Sequence, residues 1–129
     1  MAELARRQGA QLHREVPVGS RLGGRPIKLG DGTGLSMPDT PDNQAAYPRS
    51  SSTQPGVGFP LLRMVALISL SGGSVLDVAV GPHRGKQTGE TALLRQLLGG
   101  LERGDIFLGD ALFANYWTIG LLVERGVDV

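Results

Sequence analysis

Two carboxylates have both the chemistry and the placement to do work. Asp31 lies inside KLGDGTG and Asp110 inside IFLGDALF, each directly after a glycine and each where an apolar run opens into a loop. Aspartates brought together at strand ends repel one another unless a hard cation neutralises them, and Mg²⁺ takes oxygen ligands of this kind. Two such ions about 3.5–4 Å apart can activate an attacking oxygen and stabilise the leaving oxygen of a phosphodiester. The same residues also fit ordinary turn chemistry. Asp31-Gly32 is a common turn dipeptide and Asp110 can simply end a strand, so spacing alone favours the structural role.

The remaining polar residues are less pointed. Asp39 and Asp42 lie in a Pro-rich stretch and read as turn formers. Glu90 reads as a helix-dipole residue rather than a catalytic one. His83, Arg84 and Lys86 form a basic loop, ordinarily solvated surface, in which Arg84 and Lys86 are the candidates for phosphate contacts. Tyr116 and Trp117, at the start of a helix, read as core rather than as base-stacking platforms. Arg63 is a charge inside an apolar run and requires an anionic partner or an exposed face. With no cysteine and only two histidines, disulfides, thiolate zinc sites and His-rich metal sites are excluded, so any metal would sit on oxygen. GPHRGKQTGE lacks the spacing of a phosphate-binding P-loop, and no GxSxG element occurs.

These residues need a scaffold, and the 129-residue chain has room for one domain. The 20 glycines and 8 prolines are an excess of turn formers. Net charge is +1 but unevenly spread: residues 1–30 carry a net +4 and residues 91–129 a net −2. Residues 1–24 read as a basic, flexible arm with at most one helical turn. Alternation of Ile27, Leu29 and Asp31 with Lys28 and Gly30 predicts a strand from Pro26. Residues 32–58 read as a long polar loop.

FPLLRMVALISL (59–70) and SVLDVAV (74–80), joined by Ser71-Gly72-Gly73-Ser74, predict an antiparallel hairpin, with Leu76, Val78 and Val80 on one face opposite Val75, Asp77 and Ala79. Thr88 reads as an N-cap for a helix carrying Leu93, Leu94, Leu97, Leu98 and Leu101. A short strand over 105–110, a helix from Tyr116 to Arg125 capped by Asn115, and a last strand at Val127 complete the order. The sum is an α/β fold, a mixed sheet with flanking helices; in such an order the first and fourth strands commonly lie side by side, and if they do, Asp31 and Asp110 converge on one spot. No secretory signal or bilayer-spanning run is visible, so the expected location is the cytoplasm.

The local text adds to this. DGTGLSMPDTPDNQAAYP (31–48), QPGVGFPLLRMVALISLSGG (54–73), GPHRGKQTGETALLRQLL (81–98) and GDALFANYWTIGLLVERGVD (109–128) resemble the DDE transposases of bacterial insertion sequences, in the IS-four group. The resemblance covers roughly residues 25–129. It implies a ribonuclease-H-like catalytic domain, incomplete at its C-terminus, in which Asp31 and Asp110 are catalytic and coordinate Mg²⁺. It also implies DNA as partner, both transposon ends and target, cleavage followed by strand transfer, a bacterial cytoplasmic setting, and a homodimer in the intact family member. The residue after the second aspartate, basic in many relatives, is Ala111 here. The family's third carboxylate belongs to a Tyr-x₂-Arg-x₃-Glu-x₆-Lys pattern that this chain does not contain, and neither Glu90 nor Glu124 matches it. The expectation is therefore a transposase fragment that transfers no strands by itself. The alternative is a catalytically dead remnant that binds DNA weakly and nonspecifically.

Overall fold

A computed structural model describes residues 2–50 and 57–129. Residues 51–56, part of the polar stretch expected at 32–58, lie outside the described residues. Helix α1 (Ala2–Arg14) leads into β1 (Ile27–Ser36), a short helix α2 (Pro41–Ala46), β2 (Leu61–Ser69) and β3 (Ser74–Pro82). Helix α3 (Glu90–Leu97), β4 (Ile106–Gly109) and α4 (Tyr116–Glu124) follow. The strands form one mixed sheet in the order β3-β2-β1-β4. β1 runs antiparallel to β2 and parallel to β4, and β2 and β3 form the expected hairpin. Beyond β4, Asp128 makes a parallel bridge to Ile106, where a last strand was expected. The first and fourth strands do lie side by side. Among the described residues no helix is long and apolar enough to cross a membrane.

Several differences from the sequence reading have clear causes. Within residues 2–24, Ala2–Arg14 form thirteen residues of α-helix and Val18–Ser20 a 3-10 turn, rather than one helical turn at most. AELARRQGAQLHR is rich in strong helix formers, with Glu3 in the first turn and His13 and Arg14 in the last, as the helix dipole favours. β1 does not stop at Asp31 but continues to Ser36 against β2. Thr40 caps α2, its Oγ1 accepting from Asn43 N at 3.2 Å, with Pro41 in the first turn. The N-cap of α3 is Gly89, because the Thr88 hydroxyl instead donates to Gly85 O. A bulge shifts the β2–β3 register between Leu67 and Ile68, so Val75 pairs with Ile68 while Asp77 pairs with Leu67. That moves Val75 onto the face of Val78 and Val80, which the uninterrupted alternation had separated.

The helices cover one face of the sheet. Val65, Leu67, Ala79 and Phe107 pack there against Leu93, Leu94, Leu97, Leu98, Phe113, Leu122 and Val127. Burying each such large side chain contributes about 1.5–3 kcal/mol. Gly30 is required on this face, since a Cβ would come within 2.6 Å of Phe107 Cζ. Lys28 shares the covered side and is 4% exposed, while Ile27 and Leu29, the apolar members of the alternation, are half-buried on the other. The Lys28 ammonium is satisfied by Asp105 at 2.7 Å and by Gly100 O at 2.8 Å. Asp105 also accepts from Glu102 N at 2.7 Å.

Candidate active site at the carboxyl end of the sheet

The register of β1 with β4 positions the two aspartates. Gly30 is the Cα partner of Gly109, and the residue that follows each of them in the chain is an aspartate. In open α/β sheets ligands gather outside the carboxyl ends of the strands, and Asp110 stands there, immediately past β4. Asp31 is its neighbour on β1, still paired across to Ala66 of β2. Gly30 and Gly32 face the helices, as the Phe107, Leu94 and Glu90 atoms beside them show. Alternation therefore turns Asp31 to the opposite, open face.

Both carboxylates are exposed. Each uses one oxygen locally: Asp31 Oδ1 accepts from Gly32 N at 2.9 Å, and Asp110 Oδ1 accepts from Leu112 N at 2.9 Å. Among the described residues neither has a basic side chain as ion-pair partner. Two unneutralised carboxylates on adjacent strands make an all-oxygen donor set, which suits a hard divalent cation. Mg²⁺ commonly takes one or two carboxylates and fills its shell with water and substrate phosphate, so this pair fits it. No group of three or more His, Asp or Glu residues is placed to hold a metal among the described residues.

Other expected residues distribute themselves around the same end. The loop after Pro82, at the end of β3, carries exposed Arg84 and Lys86. Arg84 Nη1 reaches Arg49 O at 3.5 Å, tying the loop to the segment after α2. Arg63 has its anion: Nε lies 3.9 Å from Glu90 Oε1, and Nη1 donates to Thr88 O at 3.0 Å. Glu90 thus does more than the dipole role its position suggested. Its side chain lies across Gly32, where a Cβ would collide with it, on the helix face and away from Asp31. The pairing of Arg63 with Glu90 was not legible, although the helical start at Glu90 and the need at Arg63 were its two halves. Asp42 is in the first turn of α2, and Asp39 just precedes the cap, pairs with Arg49 at 3.6 Å and accepts from Gln44.

Tyr116 and Trp117 correct the core reading. They are 82% and 70% exposed, stacked edge-to-face with centroids 5.6 Å apart. α4 is apolar almost all round and buries Thr118 and Leu122 instead, so the aromatic pair is left outside.

Among known proteins, the chain is similar to "Putative transposase InsZ" of Escherichia coli (strain K12), at 31% identity over 99 residues. The match takes in 76% of this chain but 32% of the relative, so the chain spans about a third of that protein's length. No family model matches the chain. No solved structure matches it either.

Proposed function

We propose that this chain is catalytic-core sequence of a DDE-type transposase, acting in the bacterial cytoplasm on DNA, with Asp31 and Asp110 as the metal-holding pair. The observation that carries this is the Gly30–Gly109 register, which sets Asp110, just past the end of β4, beside Asp31, midway along β1. The strand order β3-β2-β1-β4 with a further parallel bridge supports a ribonuclease-H-like sheet, and the likeness to the E. coli protein supports the transposase reading. Mg²⁺ bound at this pair would supply charge stabilisation for attack on a phosphodiester. Asp31 and Asp110 hold their free oxygens in solvent, where a phosphate can approach. Arg84 and Lys86, on the loop at the same end, attract and position the DNA backbone without reading its sequence.

The alternative, a remnant that binds DNA and does not cleave it, is favoured by one observation: no third carboxylate joins the pair among the described residues. Both readings share a measurable core. Mg²⁺ titrated into the protein should shift the amide resonances of Gly32 and Leu112, which donate to the two carboxylates, and Asp31→Asn should remove the response at Gly32. An unchanged response in Asp31→Asn would place the ion elsewhere. Strand transfer by this chain alone should be absent. Mg²⁺-dependent cleavage of DNA, lost in Asp31→Ala, would show instead that two carboxylates suffice.

A further inference from the structure

The first residues of α4 leave two aromatic rings outside the core. Tyr116 and Trp117 meet edge-to-face at 81°, and both are so exposed that each ring keeps a broad face in solvent. Their place is fixed by the chain around them. Asp128, four residues past α4, bridges Ile106 at the start of β4, so α4 runs back along the sheet and begins at the end where Asp110 stands. One hydrogen-bonded unit joins that carboxylate to the rings. Asp110 Oδ1 accepts from Leu112 N at 2.9 Å, Asp110 O from Phe113 N at 3.1 Å, Phe113 O from Asn115 N at 2.8 Å, and Asn115 Oδ1 from Thr118 N at 3.0 Å. Buried Phe113 and Thr118 anchor this unit in the core. Beside the rings lies a cavity of about 590 Å³ whose lining includes Tyr116, Trp117, Ile119, Gly120, Val123 and Glu124. It stays open at Gly120, where an added Cβ would meet nothing within 4 Å. A glycine inside a helix costs stability relative to alanine, and no neighbour demands this one.

We propose that Tyr116 and Trp117 form a stacking platform for one unpaired DNA base, next to the phosphate that Asp31 and Asp110 engage. This rests on the transposase reading of the aspartate pair. A base has two flat π-faces and a polar rim, so an exposed ring with open space beside it takes the face and leaves the rim in water. Such stacking tolerates any sequence. Inside a duplex both faces of a base are covered by its neighbours, so the platform selects a single strand or a base turned out of the helix. A base held there sets which phosphate lies at the carboxylates. The exposed area argues against a protein in this place. The two rings together expose about 300 Å², whereas a stable complex takes roughly 800 Å² from each partner. Ile119 and Val123 lengthen the patch along α4 only, and exposed Glu124 ends it with a charge, which interface cores avoid.

Trp117 is the only tryptophan of the chain, so its emission reports the platform directly. With Mg²⁺ present, an oligothymidylate strand should quench that emission, and a strand of equal length built from abasic units should not. A duplex of the same length should bind through its phosphates and quench much less. Trp117→Ala, followed by anisotropy of a dye-labelled strand, should weaken oligothymidylate binding at least about fivefold and leave the abasic strand unaffected. Trp117→Phe should restore most of the affinity. Gly120→Leu, which sends a side chain back toward the rings, should weaken oligothymidylate binding in the same selective way. Equal affinity for thymidylate and abasic strands overturns the proposal, as does a duplex that quenches as strongly as the single strand. Duplex binding with no response from Trp117 to any strand discards the platform and leaves the transposase reading standing, whereas a chain that binds no DNA removes both. Emission that shifts with protein concentration in the absence of DNA assigns the rings to a second copy of the chain and overturns the proposal too. If Trp117→Ala does not fold, the thymidylate and abasic strands on the unaltered chain decide.

Discussion

The two ends of the sheet treat charge in opposite ways. At the amino end of β1, Lys28 and Asp105 are almost wholly buried, paired with each other, and further satisfied by Gly100 O and Glu102 N. Toward the other end, Asp110 just past β4 and Asp31 midway along β1 stand in solvent, and among the described residues neither has an ion-pair partner. A buried pair whose charges already face each other offers little to a ligand, whereas exposed carboxylates without an ion-pair partner remain open to a cation. One end therefore holds the fold together, and the two aspartates toward the other contribute no ion pair to it among the described residues.

The strongest way to break this contrast is to unpair the buried end. Asp105→Ala leaves the Lys28 ammonium buried without its anion and should cost about 3–5 kcal/mol. Against a typical stability of about 5–15 kcal/mol, that brings the domain close to unfolding. Replacing both partners, Lys28→Met with Asp105→Leu, should recover most of the loss in thermal or urea denaturation. A single mutant that melts like the parent would mean that this end is no more structural than the other.

A loss of this size at Lys28 was not foreseeable from its neighbours. Ile27-Lys28-Leu29 alternates as a strand should, yet period alone does not say which face the helices will cover. The turn at Ser71–Ser74, the Asn115 cap and the adjacency of β1 and β4 were legible because each rests on local chemistry or on connection order. The α1 helix is less legible, because Gly19, Gly23 and Gly24 further along the arm point to flexibility while 2–14 is continuous helix. Tyr116 and Trp117 misled for a different reason: in a helix apolar almost all round, periodicity cannot choose the buried stripe. At the candidate site, Asp31 and Asp110 were visible as residues. Their neighbourhood, set by the Gly30–Gly109 register, needed the sheet.

The floor beneath Asp31 sharpens the comparison at an intermediate scale. Gly30→Ala would bring a methyl to 2.6 Å from Phe107 Cζ and 3.4 Å from Leu94 Cδ1, in a core where Phe107 is fully buried. Overpacking of this kind should cost about 1–3 kcal/mol, read as a lowered denaturation midpoint. Adding Phe107→Leu should return part of it, since the two sites share one space. Full additivity would show that Phe107 does not set the height of the strand that carries Asp31.

The smallest effect belongs to the ion pair between Arg63 and Glu90, beneath the strand that carries Asp31. Arg63 and Glu90 are about four-fifths and three-quarters buried as side chains, but their closest approach is 3.9 Å and Arg63 keeps a second bond to Thr88 O. Glu90→Gln retains the shape and should cost about 1 kcal/mol or less, combining a loose pair with a carboxylate at a helix start. A loss rivalling Asp105→Ala would erase the distinction between the two ends. The same variant tests how many carboxylates the proposed Mg²⁺ site would use. Glu90 lies across Gly32 on the helix side while Asp31 faces the other way, so the Mg²⁺-induced shifts at Gly32 and Leu112 should survive Glu90→Gln at unchanged ion concentration. Their loss would bring Glu90 into the site as a third ligand, reached by a change in how α3 sits over β1.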